Sequence, residues 1–181
     1  MSYEGTLTQL IAPNLALGWQ SGVDLTFELR PIGESSANER SWNGKNVNLA
    51  SGEFRLYAVR ISSGRYEYLP PALAALWPGD EFDIVPPLKL GDMIPTGGQS
   101  RTLARKPHLG TVRCLTLAFE DVAFSLDGSV VTLATPAASP VRIFYQPEMR
   151  VFVKDPWEQT FKERDVDVSW SLPCEEVGGM L

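Results

Sequence analysis

The sequence predicts a mainly β protein: an antiparallel β-sandwich or barrel with one short helix, about residues 71–77, and two long loops, 33–52 and 85–110. Three observations predict it. Fourteen prolines and fifteen glycines run through 181 residues, which interrupts long helices and favours short strands joined by turns. Apolar and polar residues alternate with period two in several segments. Asp127-Gly128 stands between two apolar runs, where a tight hairpin needs positive φ.

The elements follow in order. Residues 24–30 alternate Leu25, Phe27 and Leu29 with Thr26, Glu28 and Arg30, and Pro31 is expected to end the strand. Residues 33–52 are rich in Ser, Asn and Gly and read as a long loop. Residues 54–61 are aromatic and β-branched, and Ser62-Ser63-Gly64 closes that strand. Pro70-Pro71-Ala-Leu-Ala-Ala-Leu-Trp77 has prolines at its start and Pro78-Gly79 as a stop, so it predicts a helix of about two turns leaning on Leu73, Leu76 and Trp77. Residues 85–110 hold five glycines and prolines before Gly98 and read as a second loop, carrying Arg101, Arg105, Lys106 and His108.

Residues 111–119 are apolar enough for a central strand. The Asp127-Gly128 hairpin joins 122–126 to 130–133. Residues 141–145 and 149–153 make two more strands, interrupted at Pro147. The clearest alternation is at the C-terminus, where Val166, Val168, Trp170 and Leu172 face one way and Asp165, Asp167, Ser169 and Ser171 the other.

Length predicts one β-rich domain, 1–181. No run reaches the ~18–20 apolar residues that span a bilayer, and the first ten residues lack the pattern of a secretory signal, so no membrane anchor is expected. The net charge of −6 disfavours nucleic acid as a partner, because duplex binding is dominated by phosphate neutralisation.

The chemistry is sparse. His108 is the single histidine and lies between Pro107 and Leu109, a poor place for a rigid general base. Glu120-Asp121 and Glu175-Glu176 are adjacent pairs, and adjacent residues on a strand point to opposite faces, so neither converges on a substrate. Asp80-Glu81-Phe82-Asp83 lacks the spacing and glycine of a calcium loop and reads as a charged turn. No phosphate-cradling glycine motif is present, and no cofactor or metal is expected. Cys114 and Cys174 read as reduced thiols, Cys114 within an apolar strand. Of five tryptophans, Trp77 and Trp170 read as core, whereas Trp42 and Trp157 sit in polar, turn-like surroundings and read as interface residues.

The stretch Val141-Arg-Ile-Phe-Tyr-Gln-Pro-Glu-Met-Arg-Val-Phe-Val-Lys-Asp155, with Val168-Ser-Trp-Ser-Leu-Pro-Cys-Glu-Glu-Val177, resembles the C-terminal end of small tail-associated virion proteins of long-tailed bacteriophages. The resemblance implies a non-enzymatic tail tube, distal-tail or tail-tip subunit, made in the host cytoplasm and working within the virion. Its partners would be copies of itself and other tail proteins in a ring or tube, with passive contact to DNA passing through a lumen. An acidic wall would repel that DNA.

On this reading the two long loops make the subunit contacts. Arg101, Arg105 and Lys106 meet an acidic face of a neighbour, for which Asp80, Glu81 and Asp83 are candidates, and Trp42 and Trp157 add aromatic contacts. The alternative is a β-sandwich binding module that recognises carbohydrate or peptide through the exposed tryptophans and loops. An enzyme free of histidine would need a converging carboxylate pair, and no pair is placed for it.

Overall fold

A computed structural model describes residues 9–18, 21–22, 24–32, 38–48, 55–63, 69–164 and 167–178. Fourteen strands are formed among them. In chain order they are β1 (Thr26–Pro31), β2 (Asn38–Arg40), β3 (Asn46–Asn48), β4 (Tyr57–Ser62), β5 (Glu81–Ile84), β6 (Leu90–Ile94), β7 (Ser100–Thr102), β8 (Arg113–Leu115), β9 (Phe124–Asp127), β10 (Val130–Leu133), β11 (Val141–Tyr145), β12 (Met149–Val153), β13 (Glu158–Lys162) and β14 (Asp167–Glu176). The fold is mainly β and antiparallel. The chain divides into two compact units where length predicts a single domain: unit 1 is Met1–Asp83 with Arg150–Leu181, and unit 2 is Ile84–Met149, inserted between them in sequence.

Unit 1 is built on a six-stranded sheet in the order β1-β4-β14-β12-β5, with β13 also paired to β14. Its longest strand is β14, in which burial alternates without a fault over ten residues. Val168, Trp170, Leu172, Cys174 and Glu176 are buried, and the residues between them are half-exposed. Leu172 lies opposite Ile61, and Cys174 opposite Val59 on one side and Val153 on the other, so these side chains share one apolar face. Glu176 is the polar member of that face, and its carboxylate accepts the backbone N–H of Tyr57 at 3.1 Å. Such a partner is what a buried carboxylate requires.

Unit 2 holds two three-stranded sheets, β6-β11-β8 and β7-β10-β9. They share a core of Ile94, Leu103, Val112, Cys114, Val131, Leu133, Ala137, Val141, Ile143 and Tyr145. At one end the sheets are stitched by the Val122 N–H donating to the Cys114 carbonyl at 2.9 Å and by the Leu115–Asp121 bridge. At the other, the Arg101 guanidinium meets the Asp92 carboxylate at 3.0 Å. This is the sandwich-like arrangement that the alternation predicts.

The predicted hairpin forms, but Asp127 is its last ladder residue, opposite Val130, and the two turn residues are Gly128 and Ser129. Gly128 has φ +56° and is the first of two central residues, while Ser129 has negative φ, the pattern of a type II′ turn. Nothing crowds a Cβ at Gly128, so only the backbone conformation resists a side chain. Gly128→Ala is expected to lower stability by about 1 kcal/mol, read as the shift in the urea unfolding midpoint. An unchanged midpoint would contradict this assignment of the turn.

Several expectations are corrected. The helix at 71–77 is a single 3-10 turn, Leu73–Ala75. Pro71 and Pro78 leave six residues between them, too few to repay helix nucleation. Leu73 and Leu76 are buried there, but Trp77, expected in the core, is 71% exposed.

The loop 85–110 contains β6 and β7. In β6 the half-buried side carries Leu90 and Asp92 and the exposed side Gly91 and Met93, so polarity along the strand does not track exposure. The loop 33–52 contains the hairpin β2–β3, turned by Ser41–Lys45 with Gly44 at φ +78°; residues 33–37 and 49–52 lie outside the described residues. Pro31 ends β1 as its last residue, still paired opposite Tyr57. β1 is an edge strand, so the missing N–H can face away from the ladder. The central strand predicted over 111–119 is only three residues long, because residues 116–120 fold into a tight turn. Trp19, Asp165 and Val166 lie outside the described residues.

Candidate functional site

The charged residues singled out for contacts with a neighbour are engaged within the chain. Arg101 is paired with Asp92 on β6, and that carboxylate holds the guanidinium pKa above its usual value through a hydrogen bond and its charge. The Arg105 guanidinium donates to the Ala104 carbonyl at 2.7 Å. The Lys106 ammonium lies 2.6 Å from Glu148, whose other oxygen is 3.1 Å from Nδ1 of His108. Lys106 is the first cause, and His108 a lesser one, of a Glu148 pKa below the usual carboxylate range.

Asp80 accepts the Trp77 N–H at 2.7 Å and closes the turn that follows Leu73–Ala75. Glu81 and Asp83, two residues apart on one face of β5, both face Arg150 of β12, at 3.6 and 3.5 Å. Such exposed pairs each contribute little to stability, typically ~0–1 kcal/mol, but they fix where these side chains point. Trp42 stands 99% exposed in the turn between β2 and β3. Trp157 is half-buried and donates its indole N–H to the Leu76 carbonyl at 2.9 Å. The structure therefore does not gather the eight residues into one cluster of free groups.

Two other surfaces were not legible in the sequence. The first is a shallow groove of about 240 Å³ on the outward face of the unit 1 sheet. The registers put Glu28, Arg60 and Pro173 in one row and Arg30, Ala58 and Glu175 in the next. Small residues on the inner strands form its floor and long charged ones its walls. Lys154 of that wall is bonded to Glu175, so the groove presents both signs of charge.

The second lies on unit 2, on the outer face of β6-β11-β8. Arg142 occupies the central strand, directly opposite Met93 on β6 and Leu115 on β8. Phe144 follows two residues on, on the same face, with Gly91 opposite it. A Cβ at position 91 would make only ordinary van der Waals contact with the Phe144 ring, at 3.8 Å. The guanidinium lies 4.6 Å from the centroid of the Phe119 ring and 6.0 Å from that of Phe144, within reach of cation–π attraction. Its Nε is buried without a hydrogen-bond partner, and its Nη2 reaches the Leu117 carbonyl only at 3.5 Å.

The turn that delivers Phe119 is strained. The Phe119 N–H donates to the Thr116 carbonyl at 3.0 Å and the Thr116 N–H to the Glu120 carbonyl at 2.9 Å, and Phe119 is left at φ +64°. That conformation costs a bulky side chain on the order of 1–3 kcal/mol. The ring it holds is 70% exposed, beside exposed Leu117 and Met93. On the rim, Arg113 pairs with Asp121 at 2.8 Å.

Among the described residues no group of three or more His, Cys, Asp and Glu side chains is placed to hold a metal ion. No helix among them is long and apolar enough to cross a membrane. Both cysteines are buried and free. Fold and surfaces together define an all-β chain of two units, with a charged outer groove on one and an arginine set among aromatic and apolar side chains on the other. No protein-family model matches this chain, and no curated protein matches it significantly.

Proposed function

We propose that the protein is a non-enzymatic structural subunit of a phage tail, working through contacts with copies of itself and with other tail proteins. The observation that carries the reading is the Arg142 face. Exposed apolar side chains around a guanidinium whose Nε is buried without a partner, one of them held by a strained turn, fit a surface that becomes buried on association. The resemblance adds its weight: its residues form β11, β12 and most of β14, which include the central strands of both units.

Purified protein viewed by negative stain, with its mass followed by light scattering, is expected to show rings, tubes or other closed oligomers. A single 20.0 kDa species at every concentration tried would overturn the reading.

One observation favours a second reading. The fully exposed indole of Trp42 also suits a module that binds carbohydrate or peptide. Trp42 fluorescence responding to glycans in a monomeric protein would favour it.

A further inference from the structure

Charge is divided unevenly between the two units. Unit 2 contains six basic and five acidic residues, net +1; the rest of the chain contains ten basic and seventeen acidic residues, net −7. The −6 of the whole molecule thus belongs to unit 1. The acidic stretch 155–167 contains five acids and two bases and includes β13.

β13 pairs with β14 along one side, and among the described residues no strand pairs with its other side. All five of its side chains are exposed. Phe161 is 58% exposed although it stands opposite buried Val168, and Glu158 opens the strand.

We infer that the Arg142 face of unit 2 receives strand β13 from unit 1 of a second copy. This rests on the assembly reading and names the surfaces it uses. Phe161 of the incoming strand fills the apolar ring of Met93, Leu117, Phe119 and Phe144. Glu158, which opens β13, and Glu163, which follows it, supply the carboxylate that the guanidinium lacks, in keeping with the opposite signs of the two units. The two surfaces are different patches of one chain, so two copies either exchange them reciprocally in a closed pair or use them head-to-tail, which closes as a larger ring or extends as a filament. Opposite charge also makes association faster and tighter at low salt.

Two variants test this. Phe119→Asn removes the ring but suits the left-handed backbone, which asparagine tolerates. Phe161→Thr removes the other ring and keeps a good strand former. Assembly is followed by sedimentation velocity at low and high salt, with the melting temperature checking the fold.

Each variant alone is expected to associate about tenfold or more weakly than the unmodified chain, with melting little changed. An equimolar mixture is expected to recover heterodimers and stop there, because each pair of chains keeps only one intact pair of surfaces. Raising the salt is expected to weaken association of the unmodified protein. If the protein assembles and either variant assembles equally well, or if mixing restores nothing, the inference falls while the assembly reading stands. If the unmodified protein never associates, both fall.

Discussion

Leu172→Ala is expected to destabilise the protein by about 3 kcal/mol, within the usual range of ~2–5 for a large-to-small change in a well-packed core. Leu172 is fully buried, in the strand that joins the most neighbours in the unit 1 sheet, and it stands opposite fully buried Ile61. The change removes apolar area from burial and leaves a cavity that paired strands on both sides hold open. Ser169→Ala in the same strand is the matched control. Ser169 lies on the other face and is half-exposed, so its loss is expected to stay within about 0.5 kcal/mol. Urea unfolding followed by the fluorescence of Trp170, two residues away, reads both. Equal losses for the two variants would contradict the alternating burial of β14, and with it the placement of the core.

The second large effect concerns the thiols. Burial pushes Cys114 from an ordinary 9.0 up to about 11 and Cys174 up to about 12. The thiolate is the reactive form. At pH 8 the folded protein is therefore expected to react with a thiol reagent about 100-fold more slowly at Cys114, and about 1000-fold more slowly at Cys174, than the urea-unfolded chain, before any barrier to access is added. Rapid labelling of native protein would show that these strands are not closed over the thiols.

The same shifts fix the sign of an alkaline effect. Above pH 9 the unfolded chain loses the thiol protons while the folded chain keeps them, so the unfolded state binds fewer protons and stability falls as pH rises. The loss accumulates from pH 9 to about 11 for Cys114 and to about 12 for Cys174. Below pH 9 both states hold these protons and the thiols contribute no pH dependence. A Cys114→Ala, Cys174→Ala double variant is expected to lose less stability than the unmodified chain between pH 8 and 10. An identical decline would show that the thiols do not contribute to it.

Reading strands from the sequence succeeded where one face is apolar and the other polar along the whole element. β14 and β1 are such strands, and the Asp127-Gly128 hairpin is fixed by a local backbone requirement. It failed where exposure and polarity part company. β6 exposes Met93 and half-buries Asp92, which is tolerated because Arg101 stands beside it. β8 is cut short because residues 116–120 close a turn on themselves, which apolar character does not reveal. Trp77 looks like a core residue by type, yet Asp80 folds the chain back there and leaves its ring outside.

The candidate site was less legible than the fold. Arg101, Lys106, Glu81 and Asp83 looked like free charges on irregular segments, but their partners, Asp92 on β6, Glu148 between β11 and β12, and Arg150 on β12, are placed beside them only by folding. Arg142 gave no signal, being one charge inside an apolar strand. Its setting depends on Met93, Phe119 and Phe144, drawn from three parts of the chain.

The sequence by itself determined that this chain is built from short antiparallel strands, that Val168, Trp170 and Leu172 are buried on one face of the last of them, and where one hairpin turns. Those properties depend on period-two alternation and on backbone preferences that neighbouring residues impose. Only the tertiary structure decided that residues 84–149 form a unit of their own, which charges are neutralised, and which apolar side chains stay exposed around Arg142. These depend on contacts between residues far apart in sequence, whose energies exist only once the strands are in register.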